Sequence, residues 1–232
     1  MITPSHAYPS WYLGFDLGQR QDYTALATTE LFWTHTGRDA VTFENIFEPT
    51  LHLCSLRRFP LGTSYSDYPN IVGRHIARIC EDHRMRTTMN NTPIHLVVDA
   101  GGPGAPVVDE LRRAHIPAQL TPMLISGGTA ESYTTNGFKT VPRRELISNL
   151  VLLMEHNILR WAETLPRRAA LDYELLQLSA GTTHPETTSA HDDLVMAVAI
   201  AAWQAKTVSP QILQWSKGGE IRPRWSPQGP LF

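Results

Sequence analysis

From Leu194 to Trp203 the chain runs LVMAVAIAAW without one polar side chain, directly after Asp192 and Asp193. A helix that is apolar all round must be covered on every side. The run is about half the length of a bilayer span, so the cover is expected to be protein. Its small residues, Ala197, Ala199, Ala201 and Ala202, would let it approach a sheet closely. The rest of the chain agrees with that burial. A composition of 42% hydrophobic and 18% charged residues is that of an ordinary soluble globular protein. A length of 232 residues suits one sizeable α/β domain. The start, MITPSHAYPSWY, lacks the basic and apolar segments of a secretory signal. Cys54 and Cys80 allow at most one bridge, which excludes a disulfide scaffold and fits a reducing cytosol. A cytoplasmic location and no membrane partner are therefore expected.

Upstream the hydrophobic period changes along the chain. WYLGFDLG (Trp11 to Gly18) is apolar and aromatic and closes on glycine, as a buried strand does. Tyr23 to Trp33 predicts a second strand, the alternating Asp39 to Phe47 a third, and Leu51 to Phe59 is a weaker strand-like stretch. Short loops join the first three, so an antiparallel meander is expected. From Tyr68 to Arg84 apolar residues recur at helical spacing. IHLVVDA (Ile94 to Ala100) suits a central strand covered on both faces. A short helix from Val107 to His115 and a strand from Ala118 to Ile125 follow, then a polar hairpin or loop from Ser126 to Thr140. Pro142 opens a helix to about His156. Further helices run from about Pro166 to Leu178 and from about Asp192 to Lys206. The fold class expected is α/β: a mixed sheet of three antiparallel strands and then parallel strands, with helices on both faces. Residues 1–207 form this domain. Residues 208–232, with their prolines, Trp215, Trp225 and Phe232, read as an extended tail that is disordered or packs its aromatics onto the body or a partner.

Acids interrupt the most apolar elements: Asp16 in the middle of the first strand signal, in GFDLG, Asp99 at the end of the strand in LVVDAGG, and Asp192 and Asp193 at the start of the helix in HDDLVMAVAIAAW. A carboxylate in such a place is costly unless it is paired, hydrogen-bonded or bound to metal. Converging at one sheet edge, these acids would offer the oxygen ligands that Mg²⁺ or Mn²⁺ prefers. Each also has a local explanation. Asp16 reads equally as a turn residue, Asp99 before Gly101-Gly102 as an Asx turn, and Asp192 as a helix N-cap. Asp193, inside the first turn of an almost wholly apolar helix, fits the local explanation least well.

The stretch GFDLGQRQDYTALA resembles the first strand-turn-strand of the nuclease domain of viral terminase large subunits, where an acid precedes a glycine turn and a D-[YF]-[ST]-A segment. IHLVVDAGGPGAPVVDEL is similar to that family's second acidic strand, and FKTVPRRELISNLVLLMEHNIL to its helix before the last pair of elements. HDDLVMAVAIAAW is similar to its final acidic helix and is the most specific match. The likeness keeps the family's order over about Tyr12 to Ala205. It implies a ribonuclease H-like fold and an endonuclease that cuts double-stranded DNA with two divalent ions, Mg²⁺ or Mn²⁺, during phage or prophage DNA packaging. By the same likeness Asp16, Asp99 and Asp193 are the catalytic metal ligands and Asp192 a further or alternative ligand. A packaging ATPase, a small terminase subunit or a portal would be its protein partners. The chain has no G-x-x-x-x-G-K-[ST] phosphate loop, so ATP-driven translocation is not expected of it. That points to an excised domain, a split-gene product or a stand-alone relative.

The net charge of −2 argues mildly against a nucleic-acid binder. Carboxylates spent on metal weaken that objection, and the arginines come in clusters. Lys139, Arg143 and Arg144 are the candidates for holding the DNA backbone, and His191 for proton transfer or a phosphate contact. Rival readings are a junction-resolving or RNA-cleaving nuclease of the same fold, and a non-catalytic module that joins a packaging complex through its tail. An actin- or sugar-kinase-like ATP binder would need a second lobe, for which the chain leaves little room. Gly101-Gly102-Pro103-Gly104 lacks dinucleotide-binding spacing, and His75, Cys80 and His83 supply only one of the two ligand sets zinc usually needs.

Overall fold

The computed structural model describes residues 9–18, 22–41, 43, 45–86, 93–102, 104–134, 138–179, 192–209 and 212. Its strands are β1 (Ser10–Asp16), β2 (Ala25–Arg38), β3 (Asn45–Arg58), β4 (Ile94–Asp99), β5 (Gln119–Ser126), β6 (Ser132–Tyr133), β7 (Lys139–Pro142) and β8 (Leu159–Trp161). Its helices are α1 (Tyr68–Arg86), α2 (Gly104–Arg113), α3 (Arg143–Glu155), α4 (Arg168–Ser179) and α5 (Asp193–Val208).

The strands make one sheet in the order β6-β7-β5-β4-β1-β2-β3-β8. β1, β2 and β3 are antiparallel, and β4, β5 and β7 continue from β1 in parallel. This is the mixed sheet the sequence predicts. Alternation along the strands sorts the core into two layers. Trp11, Leu13 and Phe15 point with Leu96 and Val98 toward α1 and α2, and close around Val72, Ile76, Val107 and Leu111. Tyr12, Ala25, Val97 and Met123 point to the other face, onto α3, α4 and α5. The second layer is the one that matters for function, since Gly14 and Asp16 share the face of Tyr12 by the same two-residue period.

α5 lies on β1 and β2, flanked by α3 and α4, and its residues from Asp193 to Ala205 are buried. The close approach expected from its alanines occurs, and its counterpart on the sheet is Gly14. A Cβ placed on Gly14 would lie 2.0 Å from the Ala197 carbonyl oxygen and 2.7 Å from the Ala201 nitrogen. Helix backbone thus rests against strand backbone. No helix among the described residues is long and apolar enough to cross a membrane.

The third predicted strand is displaced. β2 and β3 form a long hairpin of 14-residue strands, with β3 occupying Asn45–Arg58. The predicted segment from Asp39 to Phe47 covers the hairpin's turn, where Asp39 Oδ1 accepts a hydrogen bond from Val41 N–H at 2.8 Å. Its apolar alternation misleads because Val41, Phe43 and Ile46 are exposed at the hairpin tip. The weaker stretch Leu51 to Phe59 carries the buried part of the strand. β8, a three-residue strand parallel to β3, is not anticipated in the sequence. Of the predicted tail, α5 extends through Val208, Ser209 follows as its C-cap and Ile212 packs into the core, while the remainder lies outside the described residues.

Candidate functional site

Strand register sets the site. β1 and β4 run parallel with Phe15 beside Val98, so the next residues, Asp16 and Asp99, end the two strands side by side. Across the antiparallel neighbours Asp16 faces Ala25, and Ala25 faces Arg58. Asp99, Asp16, Ala25 and Arg58 therefore form one cross-strand row on the α5 face. The small Ala25 leaves the space between Asp16 and Arg58 open to side chains arriving from above.

Those side chains come from α5 and α4. Because α5 crosses β1 with Ala197 over Gly14, its N-terminus lies toward the end of β1 that bears Asp16. Asp193 is 5% exposed, and its Oδ2 accepts from Arg58 Nε at 2.7 Å. A second guanidinium nitrogen of Arg58 pairs with Glu174 Oε1. Glu174 Oε2 accepts from the Val195 N–H at 3.0 Å. Tyr23 covers the same guanidinium, 5.0 Å from its ring centre. On the other side Asp192 pairs with Arg143. Asp192 occupies the N-cap position of α5, as expected, yet its side chain makes no capping hydrogen bond.

Electrostatics separate the acids. Burial pushes the Asp16 carboxyl well above the usual carboxylate range; Asp99, Asp192 and Asp193 push it further, with Arg143 opposing them. Asp99 is also raised by burial, held back by the backbone N–H groups of Gly101 and Ile125. The Gly101 contact, N–H to Oδ1 at 2.9 Å, is the Asx-type bond that the local explanation anticipated, and it fixes one carboxylate oxygen at the strand end. Glu174 is pushed up to about 7, chiefly by burial, against the Val195 N–H and Arg58. A carboxyl whose pKa is higher in the fold than in the unfolded chain contributes stability below its unfolded value and loses it as pH rises toward the folded one. The metal-free protein is therefore expected to lose stability between about pH 4.5 and 7, the span through which Glu174 ionises. Asp16, raised in the same direction by burial and its acidic neighbours, adds to that decline, so Asp16→Asn should flatten it in part and raise the melting temperature at neutral pH. A thermal melt series in the presence of a chelator measures both, and a stability that rises over this span would contradict the assignment.

Four sequence-predicted acids, Asp16, Asp99, Asp192 and Asp193, are thus brought to one sheet edge. The predicted basic residues are not equivalent. Lys139 is 15% exposed, pairs with Glu131 at 2.9 Å, and sits 4.3 Å from the Trp203 ring centre. Glu131 in turn accepts from the Trp203 indole N–H at 3.2 Å. Lys139 thereby ties the β6–β7 hairpin to α5. Arg143 is engaged by Asp192. Arg144 remains exposed and reaches the Thr129 carbonyl at 2.7 Å. His191 lies outside the described residues.

Arg58 and Glu174 are not among the residues the sequence singles out. Glu174 carries a signal in retrospect: it sits in the α4 stripe with Leu171, Leu175 and Leu178, where an apolar residue belongs. Arg58 carries none until the β3 register is known.

Against known protein families and curated proteins the sequence matches nothing. The fold does have solved counterparts. The human cytomegalovirus terminase nuclease domain superposes with a TM-score of 0.53 at 13% identity, over 89% of this chain and 88% of that one. Its Mn-soaked form gives 0.51 at 12% identity, over 86% and 84%. The fold is that of a terminase nuclease domain. The large terminase nuclease of thermophilic phage G20c is a further match, at 21% identity and a TM-score of 0.46 over 87% of this chain and 84% of that one. At these identities the relation to terminase nucleases is one of fold.

The donor chemistry at the acidic edge of this terminase-type fold suits a divalent ion. The ligands on offer are hard carboxylate oxygens, and the ionisation of Asp16 is opposed first by burial and then by neighbouring acids, the second of which a bound cation would offset. Among the described residues no group of three or more His, Cys, Asp or Glu side chains is arranged to hold an ion. Arg58 and Arg143 instead supply positive charge to Asp193 and Asp192.

Proposed function

We infer that the chain is a metal-dependent endonuclease that hydrolyses phosphodiester bonds of double-stranded DNA, acting in phage or prophage DNA packaging within the bacterial cytoplasm. The observation that supports this most is the meeting of Asp16, Asp99, Asp192 and Asp193 at the carboxyl edge of the sheet, on elements separated by long stretches of sequence. Asp16, Asp99 and Asp193 are the proposed ligands of two Mg²⁺ or Mn²⁺ ions, with Asp192 available as a further ligand. Bound ions would lower the pKa of an attacking water and neutralise the charge that develops on the phosphate. Asp16 stands beside Asp99 in the row and also feels Asp192 and Asp193 from α5, which makes it the natural shared ligand. Asp99 is pre-oriented by its backbone hydrogen bonds. Arg143 can release Asp192 toward an ion and turn its guanidinium to a phosphate oxygen, a geometry for which the planar fork is suited.

Arg144 is the basic residue best placed to hold the DNA backbone, being at 59% the most exposed of the three candidates. Arg144→Ala is expected to weaken DNA binding similarly for all sequences and to lower the slope of log affinity against log salt by about 1. Titration at several salt concentrations reads this; an unchanged slope would remove Arg144 from the interface. The function itself is tested by incubating the chain with plasmid DNA and Mn²⁺, with linear duplex, four-way junction and RNA–DNA hybrid in parallel. Cleavage of plasmid and linear duplex is the expected result. Preference for the junction or the hybrid would move the assignment to a resolving or RNA-cleaving nuclease. Absence of both Mn²⁺ uptake and cleavage would leave a binding module.

A further inference from the structure

α5 begins without the cap that its sequence offers. An aspartate at the N-cap position ordinarily accepts a hydrogen bond from the amide two or three residues on. Asp192 does not do so, and the amide at the third position, Val195, donates to Glu174 from α4 instead. The other oxygen of Glu174 holds Arg58, which holds Asp193 Oδ2. We propose that Glu174 is the positioning residue of the acidic cluster, capping α5 in place of Asp192 and orienting Asp193 through Arg58. The proposal rests on the metal-site reading above.

The physical case is one of placement and cost. Glu174 is 3% exposed in a stripe of leucines, where a buried ion pair gains little over apolar packing. Both of its oxygens are used, one on the helix end and one on the arginine. The helix N-terminus is thereby satisfied from a neighbouring element, and the Asp192 carboxylate is released to Arg143 and the cluster. The row of Asp16, Ala25 and Arg58 brings the guanidinium to Asp193 from below, so the orientation of Asp193 is set by β3 and α4 together. Residues that orient ligands in this way typically change metal affinity by about 10- to 100-fold when removed.

The test compares the full wild-type chain with Glu174→Leu, Asp192→Ala and the double variant, by calorimetric titration with Mn²⁺ and by metal-free thermal melts. Glu174→Leu is expected to weaken Mn²⁺ binding about tenfold or more. Asp192→Ala should weaken it in the wild-type background and add little in the Glu174→Leu background, where Asp192 has turned to cap the helix. In the melts the coupling reverses: Asp192→Ala has little effect alone and lowers the melting temperature by about 3 °C beside Glu174→Leu. Unchanged Mn²⁺ affinity in Glu174→Leu, or additive effects in both measurements, overturns the proposal. Wild-type protein that takes up no Mn²⁺ would overturn the metal reading instead, and the melts then decide the capping role by themselves. If Glu174→Leu does not fold, Glu174→Gln keeps the shape and an oxygen for the Val195 amide while losing the charge opposite Arg58. Its expected signature is weaker Mn²⁺ binding without melting coupling to Asp192, and unchanged affinity there overturns the Arg58 link.

Discussion

Asp16→Ala and Asp193→Ala are each expected to abolish Mn²⁺-dependent cleavage of plasmid DNA while the fold survives. The loss should exceed about 100-fold, the upper end of what removing a residue that merely orients ligands produces. The two variants reach that result by different routes. Asp16 lies at the centre of mutually repelling carboxylates, so its removal relieves strain in the metal-free protein and should leave the melting temperature unchanged or raised. Asp193 is buried and paired with Arg58, so its removal takes from Arg58 one of its two carboxylate partners among the described residues and should lower the melting temperature. Asp193→Asn separates charge from position, because the amide oxygen can still accept from Arg58 while the negative charge is gone. Loss of Mn²⁺ binding in Asp193→Asn with near-native stability identifies the carboxylate as a ligand. Full cleavage activity in Asp16→Ala or Asp193→Ala would remove the centre of the proposed function.

Gly14→Ala is expected to be strongly destabilising. The new Cβ would meet the Ala197 carbonyl oxygen at 2.0 Å and the Ala201 nitrogen at 2.7 Å, both backbone atoms. A clash with a flexible side-chain tip is relieved by a rotamer change, but here α5 must move as a body, away from β1. Overpacking a tight core typically costs about 1–3 kcal/mol, and contact with backbone on both sides places this case at or above the upper end. At about 2–4 °C per kcal/mol for a chain of this size, the melting temperature should fall by roughly 6–12 °C. Ala197→Gly would not rescue it, since the obstructing atom is a carbonyl oxygen. Gly37→Ala, with no heavy atom within 4 Å of the added Cβ, is the matched control and should be nearly neutral. The shift would also carry Asp192 and Asp193 away from Asp16, so Mn²⁺ affinity should fall further than in an equally destabilised variant elsewhere in the core. A melting temperature within a degree or two of wild type would show that the helix does not rest on β1 at Gly14.

Much of this architecture is legible in the local pattern. The apolar run after Asp193 specifies a helix buried on all sides, and IHLVVD a strand covered on both faces, because composition and period report burial directly. Asp16, Asp99 and the Asp192–Asp193 pair stand out for the same reason: an acid where the period calls for an apolar side chain is costly. The displaced third strand shows the limit of that reasoning. Alternation over Asp39 to Phe47 describes a hairpin tip whose Val41, Phe43 and Ile46 are exposed, and period alone does not distinguish it from a half-buried strand.

The sequence by itself determined the burial of α5, the succession of helices and strands apart from β8 and the displaced β3, and which acids interrupt the apolar elements, since each of these is written within a few neighbouring residues. Only the tertiary structure decided what those acids touch. Arg58 enters the site because two antiparallel registers carry the row from Asp16 through Ala25 to β3. Glu174 enters because α4 packs beside the first turn of α5. The same packing frees Asp192 from the cap and commits Lys139 to Glu131 and Trp203. A one-residue change of register would turn a side chain to the opposite face, so such pairings exist only once the sheet and its helices have closed.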